Sequence, residues 1–260
     1  MSVETVVSKA APELTFRQRL TWVAHLYKAV AYQYHGNLAT RLVPFIPHDG
    51  VVVDVGAHSG QYMKIFARLA SAGHVYAFEP GVYALSILRR VVRYRGLGNV
   101  TILPVGMSDK ITTETLYVPI KQSGSLGFGL SHIGESDDGR ATASETIHLT
   151  TLDHFVKERG LTRVDFVKVD IEGWEMHFLR GALKTIAELR PAVLMEVIEQ
   201  MLTRVGASPD DIFDLFAAHN YVAFESPEYG GQKLRRIEHF RQAMDILFVP
   251  AEKAAQFEKE

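Results

Sequence analysis

The stretch Val53-Asp54-Val55-Gly56-Ala57-His58-Ser59-Gly60 puts a carboxylate, two glycines, an imidazole and a hydroxyl directly behind an apolar run. Gly56 and Gly60 have no Cβ, so the backbone of this turn can close on a ligand. The dinucleotide fingerprint G-x-G-x-x-G is not met, because His58 stands two positions after Gly56. A pyrophosphate needs a bare helix N-terminus, whereas Asp54 beside the turn suits a cationic ligand derived from methionine. The spacing D-x-G-x-x-x-G therefore favours a sulfonium cofactor held at Asp54, Gly56, Ala57 and Gly60.

Glu79, in Ala77-Phe78-Glu79-Pro80, follows a second apolar run. An acid there can accept hydrogen bonds from both hydroxyls of a ribose, with Pro80 beside it, which reads a nucleoside and no particular reaction. In Gly106-Met107-Ser108-Asp109, Met107 can pack on an adenine ring and Ser108 can bond its nitrogens. Asp170 and Glu172 follow a fourth apolar run. If the backbone is extended, positions i and i+2 face the same way, so both carboxylates face one cleft. They are the candidates for taking the proton of an acceptor hydroxyl, and Asp170 is also a candidate for gripping the cofactor's amino group. His58 is the alternative base. Asp170, Glu172 and Glu196 together could meet a divalent cation, but nothing in the pattern compels one, so no metal is expected. Glu175 reads as a helix-capping acid, and Lys168 as a buried partner for one of these carboxylates.

These residues need a frame. Short apolar runs at Val51 to Val55, His74 to Phe78, Val100 to Val105, Val164 to Val169 and Ala192 to Val197 alternate with helical periods. That alternation predicts a doubly wound α/β fold with a mostly parallel sheet. Further strands are predicted at Tyr221 to Glu225 and Asp245 to Val249, and one helix through Leu179, Leu183 and Ile186. The order breaks between Asp109 and Thr150, where two strand-like runs flank a Gly- and Ser-rich insert near 121–144. This insert reads as a surface loop, mobile until an acceptor binds. Residues 1–49 form an N-terminal helical extension to a domain spanning 50–260. Its helix, with Leu20, Val23, Tyr27, Val30 and Tyr34, is expected to pack across the domain or against a second copy of the chain. A membrane-surface role is disfavoured, because basic residues do not dominate its polar side.

The chain is 47% hydrophobic and 22% charged with a net charge of -2, ordinary values for a globular protein. No basic stripe marks a nucleic-acid partner; Arg89, Arg90, Arg93 and Arg95 read as one solvated helix face. Without cysteine there are no disulfides, thiolate metal sites or thiol nucleophiles. No apolar stretch is long enough to span a bilayer and no secretory signal is recognised, so a cytoplasmic location is expected. Motifs for serine hydrolases, zinc proteases and P-loop enzymes are missing.

The chain resembles the FkbM family of methyltransferases at five ordered points. These are Val53 to Gly60, Phe78-Glu79-Pro80, Thr151-Leu152-Asp153, Lys168 to Glu175 and Leu194-Met195-Glu196-Val197. The resemblance implies a seven-stranded, Rossmann-like class I methyltransferase sheet whose last strand is antiparallel. It implies S-adenosyl-L-methionine as cofactor and methyl transfer to a hydroxyl of a sugar, glycan or polyketide. Two other readings stand beside it: an NAD-linked oxidoreductase on the same fold, and a nonenzymatic S-adenosylmethionine-binding protein.

Overall fold

The computed structural model describes residues 14–119, 132–133, 142–226 and 234–258. Two helices come first, α1 (Phe16–Ala31) and α2 (Leu38–Leu42). Thr15 caps α1 by accepting from Gln18 N–H, and the Gln18 side chain returns the bond to Thr15 N–H. The alternating segment then runs β1 (Val51–Val55), α3 (Gln61–Leu69), β2 (His74–Phe78), α4 (Val82–Arg95) and β3 (Val100–Leu103). After it come β4 (Gly106–Met107), β5 (Thr112–Pro119), β6 (His132–Ile133) and β7 (Thr142–Thr150). The rest is α5 (Leu152–Arg159), β8 (Phe166–Val169), α6 (Glu175–Arg180), α7 (Leu183–Glu188), β9 (Ala192–Val197), α8 (Glu199–Arg204) and α9 (Pro209–Ala218). The chain closes with β10 (Tyr221–Glu225), β11 (Arg236–Ile237), β12 (Met244–Pro250) and α10 (Ala251–Glu258).

The main sheet has the order β11-β10-β12-β9-β8-β1-β2-β3. Pairing is parallel from β3 to β9, and β12 lies antiparallel to both β9 and β10. This is the expected doubly wound sheet, extended from seven strands to eight by the two-residue β11 at its edge. Its strands are apolar on both faces because helices cover both. One core packs Phe78, Phe155, Val167 and Phe216 on one side, and another packs Phe66, Val75, Leu88 and Phe166 on the other.

Several boundaries differ from the sequence expectation, each for a local reason. The third strand stops at Leu103 because Pro104 has no N–H to continue the ladder. The chain then crosses into a second sheet, ordered β4-β7-β5-β6, which holds the two strand-like runs. Positions 132–133 and 142–144 of the expected loop insert are strand in this sheet, and the rest of the insert lies outside the described residues. The single helix predicted through Leu179, Leu183 and Ile186 is two helices, broken where a Cβ on Gly181 would sit 2.0 Å from the Ser108 carbonyl oxygen. No helix among the described residues is long and apolar enough to cross a membrane.

Candidate active site

The turn leaving β1 enters the left-handed region at alternate residues, with φ of 80° at Gly56, 49° at His58 and 83° at Gly60. Glycine adopts this freely, whereas His58 is strained by about 1–3 kcal/mol. A Cβ on Gly56 would lie 1.9 Å from the Asp170 carbonyl oxygen, so the ends of β1 and β8 meet only over glycine. Glu79 ties this turn to the next one: its Oε2 accepts from His58 N–H at 2.8 Å and its Oε1 from Gly81 N–H at 2.8 Å. Asp54 is buried at the strand end, and its Oδ2 finds no hydrogen-bond partner among the described residues. Burial, reinforced by the Asp170 and Glu79 charges and opposed by Lys168, pushes its carboxyl up to about 7.

A second cluster sits at the end of β8. Glu172 has φ 55° and Gly173 φ 103°, so the expected extended backbone from Asp170 to Glu172 is replaced by a left-handed turn. The carboxylates converge nonetheless: one oxygen each from Asp170, Glu172 and Glu196 lie within 4.8 Å of one another. Glu175, buried in the first turn of α6, accepts at Oε1 from Ile171 N–H (3.3 Å) and Gly173 N–H (3.2 Å), so it braces the turn that presents Glu172. Lys168 is buried beneath, 3.6 Å from Asp170 Oδ2 and 3.5 Å from Asp245 Oδ1, with its ammonium 4.9 Å from the Tyr62 ring centroid. Burial disfavours its charge, but Asp245 and Asp170 outweigh burial and hold its pKa above the ordinary value. Burial and the adjacent Asp170 and Glu175 charges push Glu172 up to about 7, against the pull of Arg204 and Lys168. Glu196 is raised by burial and by its neighbour Asp170. His58 is lowered by burial, so its imidazole is neutral at neutral pH.

Between the two clusters lies a cleft of about 320 Å³. Of the residues proposed from sequence, Asp54, Gly56, Ala57, His58, Glu79, Pro80, Met107, Asp170 and Glu172 line it. Gly60 and Ser108 do not. A Cβ on Gly60 would meet Met63 Cε at 2.7 Å and Leu88 Cδ1 at 2.8 Å, so that glycine lets α3 pack on α4. The Ser108 hydroxyl accepts from Trp174 Nε1 (3.1 Å) and donates to Asp109 Oδ1 (3.0 Å), so it is engaged within the protein. Sequence reasoning missed the wall supplied by the second sheet, Leu116, Val118, Ile133 and Leu149. Its signal was the period-two alternation of apolar residues in β5 and β7. Tyr62 and Tyr83 were missed too, hidden among ordinary apolar helix positions. The charged residues of the lining are Asp54, Glu79, Glu145, Asp170 and Glu172 against Lys168. Such a cleft repels a pyrophosphate and attracts a cation.

The sequence profile of the methyltransferase FkbM domain matches residues 54–223, which contain both clusters. The chain belongs to the FkbM methyltransferase family. It is 26% identical to the 31-O-demethyl-FK506 methyltransferase FkbM of Streptomyces tacrolimicus, over 74% of this chain and 81% of that protein. It is 24% identical to the 2-O-methyltransferase NoeI of Sinorhizobium fredii, over 67% of this chain and 74% of that protein. A third relative, the AMB antimetabolite synthetase AmbE of Pseudomonas aeruginosa, is 29% identical over 68% of this chain, and there the match spans only 10% of the relative's length.

As an FkbM-family methyltransferase the protein uses S-adenosylmethionine, and its cleft fits that molecule. The buried Asp54 Oδ2, unpartnered among the described residues, and the excess of carboxylates match the ammonium and sulfonium groups of that molecule. The apolar side formed by Pro80, Met107 and Leu149 matches a nucleobase.

Proposed function

We propose that this methyltransferase alkylates a hydroxyl oxygen of a small molecule, and that the acceptor is a sugar, glycan or polyketide alcohol. The observation carrying the reaction type is the Asp170, Glu172 and Glu196 cluster, with Glu172 raised to about 7. An alcohol is a poor nucleophile until its proton is taken, and a carboxylate with a pKa near the working pH suits that task. The acceptor class rests on the relatives named 2-O-methyltransferase NoeI and 31-O-demethyl-FK506 methyltransferase FkbM.

When bound, S-adenosylmethionine supplies an electrophilic methyl group on positive sulfur. In this proposal Glu79 would accept from the ribose hydroxyls, Met107 and Pro80 would flank the adenine, and Asp54 and Asp170 would face the cationic end. Lys168 holds Asp170 in place from below. Glu172 would take the acceptor hydroxyl's proton as its oxygen is methylated. The walls of the cleft would orient the acceptor hydroxyl toward the methyl group, and such positioning supplies much of the rate. His58, within the turn after β1 and lining the same cleft, is the alternative base. Incubation with methyl-labelled cofactor and a panel of glycosides and polyketide alcohols tests this. Mass spectrometry should find the label on oxygen, one per S-adenosylhomocysteine formed. Label on nitrogen or carbon, or no consumption of the methyl donor with any hydroxyl acceptor, would overturn the reading.

A further inference from the structure

We propose that helix α1 docks the enzyme onto an anionic phospholipid surface, beside the mouth of the cleft. On α1, Phe16, Leu20, Val23 and Tyr27 are 78%, 58%, 57% and 63% exposed. At 3.6 residues per turn they fall within an arc of about 60°, turned about 120° from the packed side chains of Trp22, Leu26 and Ala29. The packed side is secured by Trp22 Nε1 donating to Ser86 Oγ at 2.8 Å and by Arg90 stacking 4.6 Å from the Trp22 ring. Among the described residues the apolar stripe is thus a second face left exposed beside the packed one.

The basic residues of α1 alone do not dominate its polar side, and the basic surface that selects the occupant is formed only where α1 packs on α4. Arg19 borders the stripe on one side and Arg17 and Lys28 on the other, and α1 contains no acidic residue. The helix beneath it, α4, also has none and carries Arg89, Arg90, Arg93 and Arg95. At the end of α1, the Lys64 ammonium donates to the Ala29 and Tyr32 carbonyls, and the charges acting on it, Arg95 and Arg68, are both positive. This basic surface stands on a chain whose net charge is -2. A second copy docking through a two-fold axis would set these cations against their own counterparts. A nucleic acid would leave the aliphatic centre, Leu20 and Val23, without a matching surface. An anionic bilayer satisfies both features, with apolar side chains in the acyl boundary and arginine and lysine at the headgroups.

The stripe also leads to the cleft. Beyond α1, Gln33 Nε2 donates to the Gln61 carbonyl at 3.0 Å, and Tyr34 N–H donates to Gln61 Oε1 at 3.2 Å. His35 then stacks on Tyr62 at 4.8 Å and lines the cleft. Exposed Tyr32 and Tyr34 flank this path, and tyrosine is a residue favoured at headgroup level.

The test is flotation of the full chain with vesicles of two parts phosphatidylcholine to one part phosphatidylglycerol, against vesicles of phosphatidylcholine alone. The protein should float with the anionic vesicles only, and raised salt should release it. Leu20→Ser with Val23→Ser should weaken retention at least about tenfold. Arg17→Gln, Arg19→Gln and Lys28→Gln should each cost about fivefold. Unchanged S-adenosylhomocysteine affinity in every variant shows that the fold and the cofactor cleft survive, which separates this proposal from the reaction assigned above. No retention on anionic vesicles, or retention indifferent to the stripe variants, overturns the proposal. A concentration-dependent dimer lost with Leu20→Ser, without vesicle binding, overturns it in favour of a second copy. Tighter binding to duplex DNA than to vesicles overturns it in favour of nucleic acid.

Discussion

Glu79→Gln should weaken S-adenosylhomocysteine binding by about 10- to 100-fold while the protein still folds. The carboxylate is 8% exposed, and each oxygen accepts one backbone N–H at 2.8 Å. Alanine would leave the N–H groups of His58 and Gly81 without that acceptor at once, so a loss of affinity could reflect a collapsed turn. Glutamine keeps the shape and one acceptor, and turns its amide N–H2 toward the other backbone donor. That mismatch costs about 1–3 kcal/mol of stability, and the melting temperature should fall by several degrees. Loss of a charged acceptor for the ribose hydroxyls costs roughly 1.5–3 kcal/mol of binding, the stated change in affinity. Calorimetric titration beside a thermal melt reads both effects. A cooperative melt with affinity within about twofold of wild type would remove Glu79 from the cofactor site and refute the ribose reasoning.

Two further outcomes follow from the buried charges. Asp54 is raised to about 7 in the folded chain, so its contribution to stability is complete below the unfolded carboxyl value and is lost as pH rises through about 7. The ligand-free protein should therefore melt lower at about pH 8 than at about pH 5, and Asp54→Asn should flatten that slope. An unchanged slope in calorimetry would show that Asp54 is not the buried acid responsible. Lys168→Met should cost roughly 3–5 kcal/mol, because Asp245, 7% exposed, loses the counter-charge 3.5 Å away. Adding Asp245→Leu should recover part of that loss in denaturant titration; a double variant no more stable than the single would contradict the pairing.

Much of this architecture was legible because each feature left a local mark. Apolar runs interrupted by helical periods gave the strand sequence of the sheet, and Asp54, Gly56 and Glu79 marked the two strand ends that meet at the cleft. The features not legible depend on distant partners. Gly60 and Gly56 look alike in sequence, yet one faces Met63 and Leu88 and the other the Asp170 carbonyl. Ser108 looked ready for a nucleobase, but Trp174, far along the chain, takes its hydroxyl. Asp170 and Glu172 were paired on the assumption of extended backbone, and they converge through a left-handed turn that Glu175 braces. The stripe on α1 was read as packing surface because its periodicity cannot tell which apolar face the domain covers.

The central claim is that Glu172 takes the acceptor's proton in a cleft whose other carboxylates hold the cofactor. Single-turnover methyl transfer by wild type and Glu172→Gln, followed across pH with cofactor affinity measured alongside, tests it most directly. The wild-type rate should rise with pH to a plateau above about 7, as the raised carboxyl ionises. Glu172→Gln should keep cofactor affinity within a few fold, lose on the order of 10²–10⁴ in rate and lose that ionisation. Near-normal turnover in Glu172→Gln, with the same pH profile, would contradict the claim and pass the role to His58 or to positioning alone.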